Sequence, residues 1–142
     1  MMQSSAAFAL AAASASALGQ AAKPADHSQH QGGKYAPLAA SAADCVRIGQ
    51  VSLAHCFAVL GQGDKAMAIC AISTNEMLAA CDTLLTLVAG DSKYLPKMPA
   101  LGVVVLEDCE KECRGYEKQH KAMKESADAC AVCAKECRKV AA

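Results

Sequence analysis

The chain has 142 residues, a length typical of one domain with a single sizeable core. Its 14 basic and 14 acidic residues cancel, and only 4% of its residues are aromatic. This composition gives no electrostatic argument for nucleic acid or an anionic membrane as a partner, and it offers no platform for base stacking. Nine cysteines are the most informative feature, and their odd number excludes complete intramolecular disulfide pairing.

Residues 1–22 are rich in alanine and serine and only mildly apolar, which predicts part of an export signal with small residues near Ala21 for cleavage. No positive charge precedes Lys23, so we expect the true start to lie upstream. A mildly apolar run is typical of a twin-arginine signal and predicts a periplasmic protein. The alternative is a disordered alanine-rich tail.

Residues 23–37 read as a polar linker with two prolines and a glycine pair. His27 and His30 lie in this linker at a spacing compatible with weak metal binding. In an unstructured segment, solvated histidines without a metal role are the more common interpretation. The folded domain is therefore predicted to occupy residues 38–142.

Two long helices are predicted at the start of this domain, over residues 38–60 and 65–89. The glycine-containing turn at residues 61–63 separates them, so they form an antiparallel hairpin. Asp64 is a suitable N-cap for the second helix, and Gly90 ends it.

Each of these helices carries two cysteines eleven residues apart, which lie about 20° from alignment on one helical face. In the antiparallel hairpin Cys56 lies level with Cys70, and Cys45 lies level with Cys81. His55 lies about 80° off this face, so we interpret it as a flanking residue rather than a ligand.

A third helix is predicted to begin within residues 96–102 and to end near Gln119. After a reversal at His120 and Lys121, a fourth helix occupies residues 122–140. An apolar run near the start of the third helix is also compatible with a buried strand, but no second strand is predicted to pair with it. The predicted fold is therefore an all-α, antiparallel up-down-up-down four-helix bundle.

The inward faces of these helices carry sulfur where leucine and isoleucine normally lie. In the last two helices the cysteines recur every three or four residues, with charged residues on the opposite face. Methionines on the inner faces are soft ligands too, although each one alone is more often core filler. The candidate metal ligands are Cys45, Cys56, Cys70, Cys81, Cys109, Cys113, Cys130, Cys133, Cys137, Met67, Met77, His120 and Met123.

Three interpretations of the thiols are open at this point. A thiolate lattice would bind several Cu(I) ions, because Cu(I) prefers soft sulfur ligands. A disulfide-stapled, exported helical protein with a structural or interaction role would pair Cys56 with Cys70 and Cys45 with Cys81. Zinc or an iron–sulfur cluster is less favoured, since only one CxxC spacing occurs and it lies within a helix. No catalytic motif appears, so an enzyme is not predicted.

The segments CEKEC, HKAM and ESADACAVCAKEC resemble the cysteine-rich four-helix bundle copper storage proteins, in particular their exported branch. The resemblance covers residues 38–140. Ser126 stands where the family motif has a further cysteine, so one ligand of the repeat is lost. The matching motif residues are Cys109, Cys113, His120, Cys130, Cys133 and Cys137.

This resemblance implies several Cu(I) ions inside the bundle, uptake at one end past histidine and methionine, and a periplasmic location. Copper donor or acceptor proteins are the expected partners, with no nucleic acid and no membrane, and an oligomer is left open. Storage, detoxification and delivery are all compatible with the sequence.

Level matching predicts two sulfur groups in the core. The larger contains Cys56, Cys70, Cys109, Cys113, Cys130 and Cys133. The smaller contains Cys45, Cys81 and Cys137. Because isolated two-thiolate sites would hold only about four ions, bridging thiolates predict a capacity above that number.

Overall fold

The computed structural model describes residues 33–141. Within them, α1 spans Ala36–Gly61, α2 spans Ala68–Ala89, α3 spans Met98–Arg114 and α4 spans Lys121–Val140. No strand occurs in this part of the chain, so the all-α prediction is confirmed. The signal-like residues 1–22 and the linker histidines His27 and His30 lie outside the described residues.

The four helices pack as a ring in which each contacts the helix before and after it, and α4 closes against α1. Short connections make successive helices antiparallel, which confirms the up-down-up-down bundle. One-turn 3-10 helices at Lys65–Met67 and Leu95–Lys97 lead into α2 and α3. The predicted N-cap is present, because the Asp64 carboxylate accepts a hydrogen bond from the Ala66 backbone N–H at 2.9 Å.

The predicted end of α3 near Gln119 is wrong, because the helix stops at Arg114 and residues 115–119 form turns. Backbone bonds there change to an i to i−3 pattern, as from Gly115 N–H to the Glu112 carbonyl. The Tyr116 hydroxyl donates to the Ala66 carbonyl at 2.7 Å, which ties this turn to the start of α2. This tertiary contact favours the turn over the helical continuation that local propensity predicts.

By length and apolar content alone, two helical segments, Ala36–Gly61 and Lys65–Ala89, are sufficient to cross a membrane. Length and apolar content are weak evidence for a membrane span, because the core helices of a soluble bundle meet the same criteria. In this bundle both segments direct cysteines into the interior.

The core contains few large aliphatic side chains and much sulfur. All nine cysteines have 0% exposure, and Met67, Met77 and Met123 are buried with them. Protonated cysteine behaves as a small hydrophobic residue, so these thiols take the place of the usual leucines in the packing.

Gly49 lets α1 and α2 approach closely at this core. An added Cβ there would lie 2.6 Å from Cε of Met77 and 2.9 Å from Cδ2 of Leu78. Both atoms are side-chain ends that can shift, and alanine favours the helix, so Gly49→Ala is expected to destabilise the metal-free protein by about 1 kcal/mol, the low end of the overpacking cost. Chemical denaturation followed by circular dichroism measures this loss. Gly61→Ala is the control, since no atom lies within 4 Å of its added Cβ, and equal destabilisation of both variants would contradict the expectation.

Candidate metal centre

All nine cysteines of the chain are free thiols, fully buried inside the bundle. They come from all four helices and face one another along the bundle axis. Their arrangement is best described as two groups joined by two further cysteines.

The inner group contains Cys45, Cys81, Cys133 and Cys137. The Sγ atoms of the first three, from α1, α2 and α4, all lie within 4.8 Å of one another. Cys137 lies one turn further along α4, next to Cys133. Space for the Cys137 sulfur comes from Gly102, where an added Cβ would lie 3.3 Å from it.

The outer group contains Cys56, Cys70, Cys113 and Met123. Cys70 Sγ lies 3.5 Å from Cys113 Sγ and 3.2 Å from the Met123 Sδ. Cys56 Sγ lies 3.9 Å from the same Met123 sulfur, so this thioether joins α1, α2 and α4. The outer group is therefore a compact cluster of four soft ligands.

Cys109 and Cys130 connect the two groups. Cys109 Sγ lies 4.0 Å from Cys113 Sγ in the outer group. Cys130 neighbours Cys109 on one side and Cys45 of the inner group on the other, and each of them shifts the pKa of its thiol. The thiols therefore form one continuous chain through the core.

The two level pairs predicted for α1 and α2 are confirmed. Cys56 and Cys70 both contact the Met123 sulfur, at 3.9 Å and 3.2 Å, and Cys45 lies within the same sulfur triangle as Cys81. Neither pair is oxidised in the structure.

The predicted division into six and three sulfurs is wrong for Cys133, which joins Cys45 and Cys81. The prediction assumed a reversal centred on His120. Because residues 115–120 form a non-helical connection, α4 begins level with the end of α3 and Cys130 reaches the level of Cys109. Cys133 then lies nearly one turn deeper in the bundle.

The predicted methionines occupy different positions in the core. Met77 contributes a thioether next to the inner group, with its Sδ 3.8 Å from Cys81 Sγ. Met123 belongs to the outer group as described above. Met67 is fully buried at the start of α2, but its sulfur forms no hydrogen bond with a thiol among the described residues.

Hydrogen bonds between thiols set the proton affinity of each sulfur. The pKa of Cys113 is lowered to about 3 because Cys109, and then Cys70, donate to its sulfur. Hydrogen bonds from Cys137, Cys45 and Cys81 likewise lower the pKa of Cys133. Interaction with the neighbouring Cys70 thiol lowers the pKa of Cys56.

The other six thiols show the opposite effect. Hydrogen bonding to a neighbouring sulfur, together with burial, raises the pKa of Cys45, Cys70, Cys81, Cys109, Cys130 and Cys137. These thiols carry their protons at neutral pH, and a metal ion must displace them in order to bind.

Two histidines lie at the end of the bundle nearest the outer group, which we call the histidine end. His55 Nε2 and His120 Nδ1 are 2.9 Å apart, and both rings are half-buried. His55 lies off the thiol face, as the sequence predicts, and its ring contacts His120 at the start of α4. The position of His55 directly before Cys56 is the feature of the sequence that places it at the histidine end.

A bundle lined with thiols and thioethers along its axis defines a protein that holds soft metal ions in its interior. A family model described as copper storage protein (Csp) matches residues 29–142. The chain therefore belongs to the copper storage protein family.

Among solved structures, the Cu(I)-bound copper storage protein BsCsp3 is similar to this chain, with a TM-score of 0.69 and 23% identity. The match covers 76% of this chain and 98% of that one, and it supports the bundle fold. Among curated protein sequences, none matches this chain significantly.

Proposed function

We propose that this protein stores several Cu(I) ions per chain in its thiol-lined core. The observation that carries this proposal is the continuous chain of nine buried thiols, with neighbouring sulfurs as close as 3.5 Å. Thiolates and thioethers select Cu(I) over harder ions, and sulfurs this close are suited to bridging adjacent ions. The similar protein BsCsp3 is itself described as Cu(I)-bound, which supports the choice of ion.

Burial of the ligands favours storage over direct delivery. All nine cysteines have 0% exposure, whereas a carrier that passes one ion between partners must present its ligands at the surface. The protein is accordingly a metal-binding storage protein rather than an enzyme. The disulfide-stapled alternative is not favoured, since every thiol is free and their number is odd.

Anaerobic titration of the fully reduced protein with Cu(I), against a competing chelator, tests this function. We expect tight binding of more than about four ions per chain, because bridging thiolates hold more metal than isolated pairs. Saturation at one or two equivalents would instead indicate a carrier. Binding that is unaffected by blocking the thiols would contradict the proposal.

Copper uptake is proposed to occur at the histidine end. His55 and His120 are half-buried there, in contact with each other, and the outer group lies directly behind them. Imidazole nitrogen also binds copper, so the pair is suited to pass ions from solvent to the first thiols.

Replacing His55 and His120 together by alanine is therefore expected to slow Cu(I) uptake without changing the final amount bound. Stopped-flow transfer of Cu(I) from a coloured chelator complex measures both quantities. Lys93→Ala is the matched control, because Lys93 is exposed at the opposite end of the bundle. Equal uptake rates in the double variant and the wild type would exclude this route.

Export to the periplasm is proposed from the alanine-rich residues 1–22, and the twin-arginine route suits their mild apolarity. Copper donor or acceptor proteins are the proposed partners. Fractionation of cells that express the full-length chain tests the location, and protein confined to the cytoplasm would contradict it.

A further inference from the structure

One buried hydroxyl in the core has no hydrogen-bond partner. Ser126 on α4 has 0% exposure, and its Oγ is the unpaired buried side-chain oxygen of the described residues. By contrast, Ser73 bonds to the Cys70 carbonyl, and Ser52 bonds to the Ala122 carbonyl. An unpaired buried hydroxyl costs free energy, so a native core that retains one calls for an explanation.

Ser126 faces the outer sulfur group. It lies three residues after Met123 and four before Cys130, and all three side chains are fully buried on the same face of α4. Its hydroxyl lies close enough to the Cys113 thiol of α3 to lower the pKa of that thiol, yet its Oγ has no partner at hydrogen-bond geometry among the described residues. Thr74 of α2 approaches the same region, where its Oγ1 accepts from Cys109 Sγ at 3.9 Å.

Copper loading would change what surrounds the Cys113 sulfur. In the metal-free protein this sulfur lies 4.0 Å from Cys109 Sγ and 3.5 Å from Cys70 Sγ, so either thiol can donate a hydrogen bond to it. When Cu(I) binds those two thiols, their protons leave to solvent and both donors disappear. Ser126 keeps its hydroxyl hydrogen, since a hard hydroxyl oxygen is a poor ligand for Cu(I).

We propose that Ser126 is a positioning residue of the copper core, whose hydroxyl donates a hydrogen bond to the Cys113 thiolate once that sulfur is bound to Cu(I). This inference rests on the proposed storage of Cu(I). Hydrogen bonds to charged acceptors are among the stronger ones in proteins, so the orphan hydroxyl gains its partner only in the loaded state. The free-energy cost of the unpaired Ser126 hydroxyl in the metal-free protein is offset by tighter binding of Cu(I) in the outer group.

A serine at this position also limits capacity. A cysteine at residue 126 would add a tenth thiol beside Cys113, and the outer group would then accept a further bridging ion. Serine therefore stabilises one thiolate of this group without extending the sulfur chain.

Anaerobic Cu(I) titration of full-length reduced variants, with Cu(I)–thiolate luminescence as a second readout, tests this role. Ser126→Ala is expected to bind the same number of ions, with about tenfold weaker affinity for those of the outer group and altered luminescence. Ser126→Cys is expected to bind about one ion more than the wild type. Ser73→Ala is the matched control, because this buried hydroxyl bonds to backbone and should leave copper affinity unchanged.

Wild-type affinity in Ser126→Ala would overturn the proposal, as would an equal loss in Ser73→Ala. Should Ser126→Ala fail to fold, Ser126→Cys decides, and wild-type capacity and affinity in that near-isosteric variant would overturn it. These outcomes are distinct from failure of the storage function, in which the wild-type protein itself would bind no Cu(I) and both proposals would fall.

Discussion

Cys133→Ala is expected to lose more Cu(I) capacity than Cys137→Ala. The Cys133 Sγ lies within 4.8 Å of the Cys45 and Cys81 sulfurs and also neighbours Cys137, whereas Cys137 lies outside that triangle and has Cys133 as its main thiol neighbour. Removing a sulfur that bridges three neighbours should abolish about two or three ions, and removing the terminal one should abolish about one. Copper and protein are measured after loading and gel filtration under anaerobic conditions.

The two variants control for each other. Both thiols have 0% exposure and lie one turn apart on α4, so the packing defects are similar. Circular dichroism of the metal-free variants verifies that both remain folded. Equal losses of capacity would show that the thiols act as independent pairs, which contradicts the bridged arrangement.

Cu(I) affinity is expected to fall steeply as the pH decreases. Six of the nine thiols have a raised pKa, caused by hydrogen bonds to neighbouring sulfurs and by burial, so they are protonated in the metal-free protein at neutral pH. Each ion bound to such a thiol displaces a proton. The Cu(I) affinity therefore falls as the pH decreases, because a higher proton concentration favours the metal-free, protonated thiol.

The Cu(I) affinity is expected to fall about tenfold per pH unit for each proton that the ion displaces. Competition titrations at several pH values below the ordinary thiol pKa of 9.0 measure it, after correction for protonation of the chelator. Proton release in a weakly buffered solution with an indicator dye is an independent measurement. An affinity that does not change with pH would mean that the thiolates are already formed in the empty core.

The preference for a soft metal ion could be predicted from the sequence, because it depends on residue type and local spacing. Cysteines eleven residues apart on α1 and α2 face the same way, since the helical rotation and rise per residue are constant. The glycine-containing turn then fixes the antiparallel register over a short distance. For this reason the level pairs Cys56 with Cys70 and Cys45 with Cys81 hold in the structure.

Contacts between residues distant in the chain determined where α3 ends and which sulfurs lie together. The hydrogen bond from Tyr116 to Ala66 favours the early end of α3, and the register of α4 that follows places Cys133 with Cys45 and Cys81. The contact between His55 and His120 joins residues 65 positions apart. The orphan hydroxyl of Ser126 is visible only when the neighbouring helices are present. Helical periodicity thus determined which side chains face inward, while helix ends and interhelical register, which depend on tertiary packing, determined which sulfurs meet.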